Sequence, residues 1–188
     1  MIVYINSCVR HSSRTARLAR ALLKNLKDDV VELKLEDEHL FPLSEETVDF
    51  RNHCIEEGRM NDPVFFFAKQ FAAADTIVIS APFWDYSFPA LLKIYIENIC
   101  VPGITFEYND QGIPTGCCKA GKLYYVTTSG GPHFPEYGYN YVKALAQMQF
   151  GIPETELICA ENLDLVDVDP DQIMEDAIRS LEDRFKKE

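Results

Sequence analysis

Residues 76–106 read TIVISAPFWDYSFPALLKIYIENICVPGITF, and the order of signals in this stretch decides the architecture. Thr76 to Ala81 is a β-branched apolar run that suits a buried strand better than a helix. Pro82 stops it, and Phe83, Trp84 and Tyr86 then place three large rings in a short loop. Pro89 fits the first turn of a helix over Ala90 to Ile99, in which Leu91, Leu92, Tyr95, Ile96 and Ile99 follow the 3.6 period until Pro102 and Gly103 end it. A strand that passes through a loop into a helix is half of an α/β unit. In an open sheet of such units, ligands sit outside the carboxyl ends of the strands, where this aromatic loop lies.

Upstream, Met1 to Ile5 reads as a strand, NSCVRHSSRT as a loop, and Arg14 to Leu26 as a helix. Asp29 to Leu35 alternates as a second strand; an acidic irregular segment then leads to a charged surface helix that begins near Ser44 or Glu45 and extends towards Asn61. Pro63 opens a further helix, Val64 to Ala74, which feeds the strand at 76. Downstream, Ile104 to Tyr108 is extended and residues 109–121 (NDQGIPTGCCKAG) form an exposed loop or hairpin. Leu123 to Thr128 is a fourth parallel strand ended by Ser129-Gly130-Gly131-Pro132, then come a helix over Tyr137 to Phe150, a fifth strand over Thr155 to Ala160 and a last helix over Pro170 to Phe185. Alternating strands and helices imply right-handed crossovers, a parallel sheet and a three-layer α/β sandwich with helices on both faces. The expected strand order is 2-1-3-4-5, in one domain spanning residues 1–188.

The chain carries 30 acidic and 18 basic residues, a net charge of −12, which disfavours nucleic acid and anionic membrane surfaces as partners. Its six cysteines show no CxxC spacing and its four histidines are scattered, so no metal site is expected and the thiols read as reduced and cytoplasmic. Vicinal Cys117 and Cys118 lack a basic cluster that would activate them and read as inert. Neither a signal peptide nor a membrane span is expected.

In the order 2-1-3-4-5 the loops after strands 1, 3 and 4 converge on one crevice, whose switch point lies between strands 1 and 3. The first loop is rich in hydroxyls and has two arginines just before a helix start, which suits an anion, although Ser12 or Ser13 acting only as a helix cap explains the same residues. The second is aromatic. The third has adjacent glycines, which let a backbone approach a flat ligand or simply make a tight turn. Together they suit a flat ring that carries a phosphate, and flavin mononucleotide (FMN) meets that description. No GxGxxG follows strand 1, no GxxxxGK[ST] occurs, and no G-x-S-x-G elbow is present. A phosphoacceptor receiver needs an aspartate at the end of strand 3, where this chain has Ala81-Pro82.

PFWDYSFPALLKIYIENICVPGITFEY, VTTSGGP and NSCVRHSSRT resemble the FMN-dependent NADH-quinone oxidoreductases and azoreductases of the flavodoxin-like fold. The resemblance covers most of the chain, less well at residues 36–62 and the carboxyl end. It implies that Ser7, Ser13, Arg14 and Thr15 hold the FMN phosphate and ribityl chain. Pro82, Phe83, Trp84, Asp85 and Tyr86 would line the ring, with Thr128, Ser129, Gly130 and Gly131 at its other polar edge. Where the family commonly has Asn, this chain has Asp85. The flavin carries the chemistry and no catalytic side chain is required: NADH or NADPH gives a hydride, then a quinone, azo dye or nitroaromatic takes two electrons. The resemblance also implies a homodimer, with Phe106, Tyr108 and His133 as candidates for the substrate pocket; as alternatives, the first two are core strand residues and His133 is a surface histidine. The rival from another class is an FMN-binding electron carrier or redox sensor with no small-molecule substrate of its own.

Overall fold

The computed structural model of the protein describes residues 1–186. Its main sheet contains β1 (Ile2–Asn6), β2 (Val30–Lys34), β3 (Thr76–Ser80), β6 (Lys122–Thr128) and β7 (Glu154–Ala160). A separate hairpin is formed by β4 (Phe106–Tyr108) and β5 (Pro114–Gly116), and the helices are α1 (Arg14–Leu26), α2 (Glu45–Glu56), α3 (Phe66–Ala73), α4 (Ala90–Ile99), α5 (Tyr139–Leu145) and α6 (Pro170–Phe185). All neighbours in the main sheet are parallel and the order is β2-β1-β3-β6-β7, which is the 2-1-3-4-5 order read from the sequence.

The period of two along each strand divides the core between the faces of the sheet. Val3, Ile5, Ile77, Ile79, Leu123 and Tyr125 pack with Phe71 of α3, Leu92 and Tyr95 of α4 and Val142 of α5. Ile2, Tyr4, Val78, Tyr124 and Val126 point the other way, against Leu18 and Leu22 of α1 and Met174 and Leu181 of α6. β1 is buried throughout, as a central strand covered on both faces must be. Ser13, Ser44 and Asp169 accept hydrogen bonds at the starts of α1, α2 and α6, so the capping residues set where these helices begin.

Three elements differ from the periodicity-based expectation. α2 ends at Glu56, just before Gly58 at φ 70°, rather than continuing to Asn61. A 3₁₀ turn at Pro63–Phe65, capped by Asp62, precedes α3. Another at Pro135–Tyr137 delays α5 to Tyr139, and α5 closes in a π turn over Ala146–Phe150 that ends at left-handed Gly151. Both 3₁₀ turns open on a proline, which fixes φ but supplies no amide donor.

The hairpin docks on that end of α5. Asn109 Oδ1 accepts from the amides of Gln111 and Ile113 and shapes the tip, while Cys118 N–H donates to Phe150 O at 3.2 Å. A Cβ at Gly116 would lie 2.0 Å from Gly151 N and 2.1 Å from Phe150 C, both main-chain atoms. We therefore expect Gly116→Ala to destabilise the protein by about 2–4 kcal/mol, a cost at the severe end for single substitutions. Urea unfolding checks this, and an unchanged midpoint overturns it.

At the amino ends of the strands, opposite the loops, Lys119 and the Met1 ammonium hold the Asp75 carboxyl down at about 2. Because this folded value is below the ordinary one, the contribution to stability is complete above about pH 4 and is lost as the pH falls towards 2. Asp75→Asn should lower the melting temperature at pH 7 but converge with the parent at about pH 2. Thermal scans across that window test it, and a gap undiminished in acid contradicts it.

Candidate functional site

A buried polar network ties together the carboxyl ends of β1 and β3. Ser7 donates to Ser80 O from both its amide, at 3.0 Å, and its hydroxyl, at 2.8 Å. Tyr4 OH lies 2.9 Å from Ser80 Oγ, which donates to Asn6 Oδ1; the same oxygen accepts from Cys8 N–H. Burial pushes the Tyr4 phenol well above its usual range, so it stays a neutral partner in this network. On the other side, Ala81 N–H and Phe83 N–H donate to Val126 O and Thr128 O, and the Thr15 and Thr128 hydroxyls meet at 2.6 Å. Three loops thereby leave the sheet at fixed relative heights.

Between them lies a cleft of about 460 Å³, a size suited to a small ligand. Of the residues singled out in the sequence, Ser13, Arg14, Thr15, Pro82, Phe83, Trp84, Thr128, Ser129 and Gly130 line it. A contiguous hollow of about 320 Å³, which shares Phe83, Ser129 and Gly130, adds Asp85, Tyr86 and Gly131. Ser7 is buried beneath, its hydroxyl engaged by Ser80. Phe106 and Tyr108 are not brought to the cleft: they stand edge to face on the hairpin, Phe106 buried and Tyr108 exposed. His133 lines neither space but meets the Phe83 ring edge-on at 4.9 Å, and burial lowers its pKa, keeping the imidazole neutral at pH 7.

The aromatic loop is a two-residue hairpin. Trp84 and Ser87 exchange both main-chain hydrogen bonds, at 2.9 and 2.7 Å, around Asp85 at φ 50° and Tyr86 at φ 59°. Two successive left-handed residues define a type I′ turn, which usually has Asn-Gly or Asp-Gly. Without glycine, each position costs about 1 kcal/mol or slightly more. Ring contacts offset this at Tyr86, which stacks on Phe134 at 5.8 Å and meets Tyr137 and Phe83 edge-on. Asp85 makes no hydrogen bond or ion pair among the described residues.

The cleft is cationic on a strongly acidic chain. Arg10 lies 5.9 Å from the Trp84 ring centroid, and Arg14 Nη1 pairs with Asp164 Oδ1 at 2.7 Å. Ser13 Oγ caps the Ala16 amide, while the first-turn amides of Arg14 and Thr15 have no intrahelical partner. Across the cleft, the amides of Gly130 and Gly131 donate no hydrogen bond among the described residues, and a Cβ at Gly131 would meet nothing within 4 Å. Both glycines are half-buried, and the open space lies at Gly131, since Asp164 closes in on Gly130. These groups fit a planar ligand with a phosphate, so the residues present suit FMN.

Leu163 and Asp164, which follow β7, also line the cleft but were not anticipated from sequence. Their only signal is the neighbouring position of β7 and β6 in the strand order, which puts the last loop beside the Gly-Gly turn. Cys117 and Cys118 take no part, and burial raises both thiols, Cys118 to about 12. No cluster of His, Cys, Asp or Glu among the described residues is placed to hold a metal ion.

A doubly wound sheet with its cleft at the switch point places this protein in the α/β class whose ligand sites lie beyond the carboxyl ends of the strands. More narrowly, the chain belongs to the flavodoxin-like fold family, whose profile matches residues 1–185. It is 34% identical over 187 residues to FMN-dependent NADH:quinone oxidoreductase 2 of Clostridium acetobutylicum, covering 93% of this chain and 92% of that protein. It is 30% identical to the FMN-dependent NADH:quinone oxidoreductase of Coprothermobacter proteolyticus, covering 99% of this chain and 98% of that one. Among solved structures, an azoreductase from Bacillus anthracis superposes with a TM-score of 0.79 at 22% identity, covering 100% of this chain and 99% of that chain. An FMN-dependent NADH-azoreductase from the same species, in complex with FMN, gives 0.81 at 22% identity and covers 99% and 97%. At that identity the structural likeness establishes the fold.

The buried Thr15–Thr128 pair couples the start of α1 to the end of β6. Thr15→Val should cost about 1–3 kcal/mol by leaving the Thr128 hydroxyl without that partner, and adding Thr128→Val should cost little more. A double-mutant cycle in urea tests the coupling, and strictly additive losses would disprove it.

Proposed function

We propose that this protein is an FMN-dependent oxidoreductase that passes two electrons from NADH to a quinone or azo acceptor. The observation that carries this reading is the convergence, around one cleft, of a cationic helix start, an aromatic turn and an open glycine backbone. The names of the curated relatives support it, and they favour an enzyme over a carrier or sensor. When bound, FMN supplies the hydride and electron chemistry.

The protein's part is to bind and orient. Arg14, Ser13 and the first-turn amides of α1 hold the phosphate, with Thr15 fixing that turn to Thr128. Phe83 and Trp84 form an apolar wall, and the Pro82 ring replaces an amide donor where β3 ends. Ser129, Gly130 and Gly131 present main-chain groups to the polar edge of the ring, where free amides stabilise added negative charge. Ser7 acts from below, by fixing the end of β3. Asp85 and Tyr86 border the side from which a second substrate enters.

We take the acting unit to be a homodimer. Its support is the exposed aromatic surface of Tyr86, Tyr137, Tyr141 and Phe134, together with the exposed Tyr108 ring on the hairpin, more apolar surface than a monomer usually leaves uncovered. The six thiols are all free, and no helix among the described residues is long and apolar enough to cross a membrane, which together support action in the cytoplasm.

The test is to load the purified protein with FMN and follow loss of NADH absorbance with benzoquinone or an azo dye. Oxidation should require both FMN and acceptor. Trp84→Ala should weaken FMN by about three- to tenfold, the scale of one aromatic contact. A yellow, FMN-loaded protein that oxidises no NADH with any acceptor rejects the enzyme reading.

A further inference from the structure

Asp164 is an acid on the wall of a cleft read here as a phosphate site. It is also firmly placed. Asp164 N–H donates to Gly130 O at 2.8 Å, Leu163 N–H to Ser129 O at 3.2 Å and Asn162 N–H to Gly131 O at 3.1 Å, so the segment after β7 is laced along the Gly-Gly turn. Asn162 adopts φ 65° to permit this, and the buried Leu163 side chain anchors the segment in the core beneath α1 and α6. A Cβ at Gly130 would come within 2.5 Å of Asp164 Oδ2. Glycine at position 130 therefore makes room for this carboxylate. From that position Asp164 reaches across the cleft to Arg14 at 2.7 Å, with both side chains still open to water. Arg10, the other guanidinium at the cleft, has no acidic partner among the described residues and lies by the Trp84 ring.

We propose that Asp164 is a selectivity residue that competes with the ligand phosphate for Arg14. Binding a flavin phosphate then exchanges one ion pair for another, while a flavin without phosphate leaves the Arg14–Asp164 pair intact. The exchange is feasible because a solvent-exposed pair is weak, and a phosphate dianion offers Arg14 more charge than a carboxylate does. The cost falls on phosphate-bearing ligands alone and is set by a residue that need not touch the ring. A second negative charge, as in a flavin diphosphate, would lie near the same carboxylate. The inference rests on the reading that this cleft holds FMN with its phosphate at the start of α1.

The experiment titrates FMN and riboflavin into the parent, Asp164→Asn, Arg14→Gln and Asp164→Asn/Arg14→Gln proteins by flavin fluorescence, at low and high salt. Asn has the volume of Asp and fits beside Gly130; Asp164→Ser serves if that variant does not fold. Asp164→Asn should tighten FMN by about fivefold, the scale of an exposed pair, leave riboflavin unchanged and lose its advantage at high salt. With Arg14→Gln in place, the gain from Asp164→Asn should shrink. Unchanged or weakened FMN binding in Asp164→Asn overturns the proposal, as does an equal gain for riboflavin, which would report a change of cleft shape. Should the parent bind neither flavin, the FMN reading falls and takes this inference with it. Should the parent bind FMN while the Asp164 effect is absent, only this inference falls.

Discussion

The arrangement of the site depends on what happens at Ser80, the last residue of β3. Its carbonyl accepts twice from Ser7, its hydroxyl joins Tyr4 to Asn6, and the next residue begins a pair of main-chain links to β6. Buried hydrogen bonds of this kind are costly to leave unmade, which gives the network a larger role in specifying geometry than in raising net stability. The hydroxyl-rich loop, the aromatic turn and the Gly-Gly turn all start from atoms within this network or one hydrogen bond away. Their spacing is consequently a property of the sheet and only secondarily of the loops.

On that base, the protein uses charge economically. The chain carries 30 acidic against 18 basic residues, while the cleft gathers two guanidiniums and unpaired amides. One guanidinium is already committed to Asp164 and the other lies near an indole. Neither is a bare charge in water. The cleft is thus tuned for a moderate attraction, in which shape and ring contact must add to electrostatics before binding is tight.

Sequence reasoning reached the sheet order and most of the cleft because both depend on strong local signals. β-branched runs, prolines and adjacent glycines mark where strands stop, and the order then determines which loops meet. It could not place Phe106 and Tyr108, since a short extended run after a helix does not reveal which edge of the sheet it faces. Nor did it see the I′ turn, because Asp85-Tyr86 lacks the glycine that normally announces one. The π turn of α5 escaped for a related reason: the apolar positions of that segment fit an ordinary helix, and the departure is set by its junction with Gly151 and the hairpin. Asp164 has no local signature at all, its role arising only from the lacing of one loop along another.

The left-handed pair at Asp85 and Tyr86 has a further consequence. The course of the chain there is set by two reciprocal main-chain bonds and by the rings around Tyr86, none of which involves the carboxylate of Asp85. Asp, Asn and Gly all enter that backbone conformation more readily than other residues, so exchanging them alters the local potential while the wall of the cleft keeps its form. Position 85 is an electrical setting separated from the mechanical frame, and a lineage can move it in one mutational step without rebuilding its surroundings.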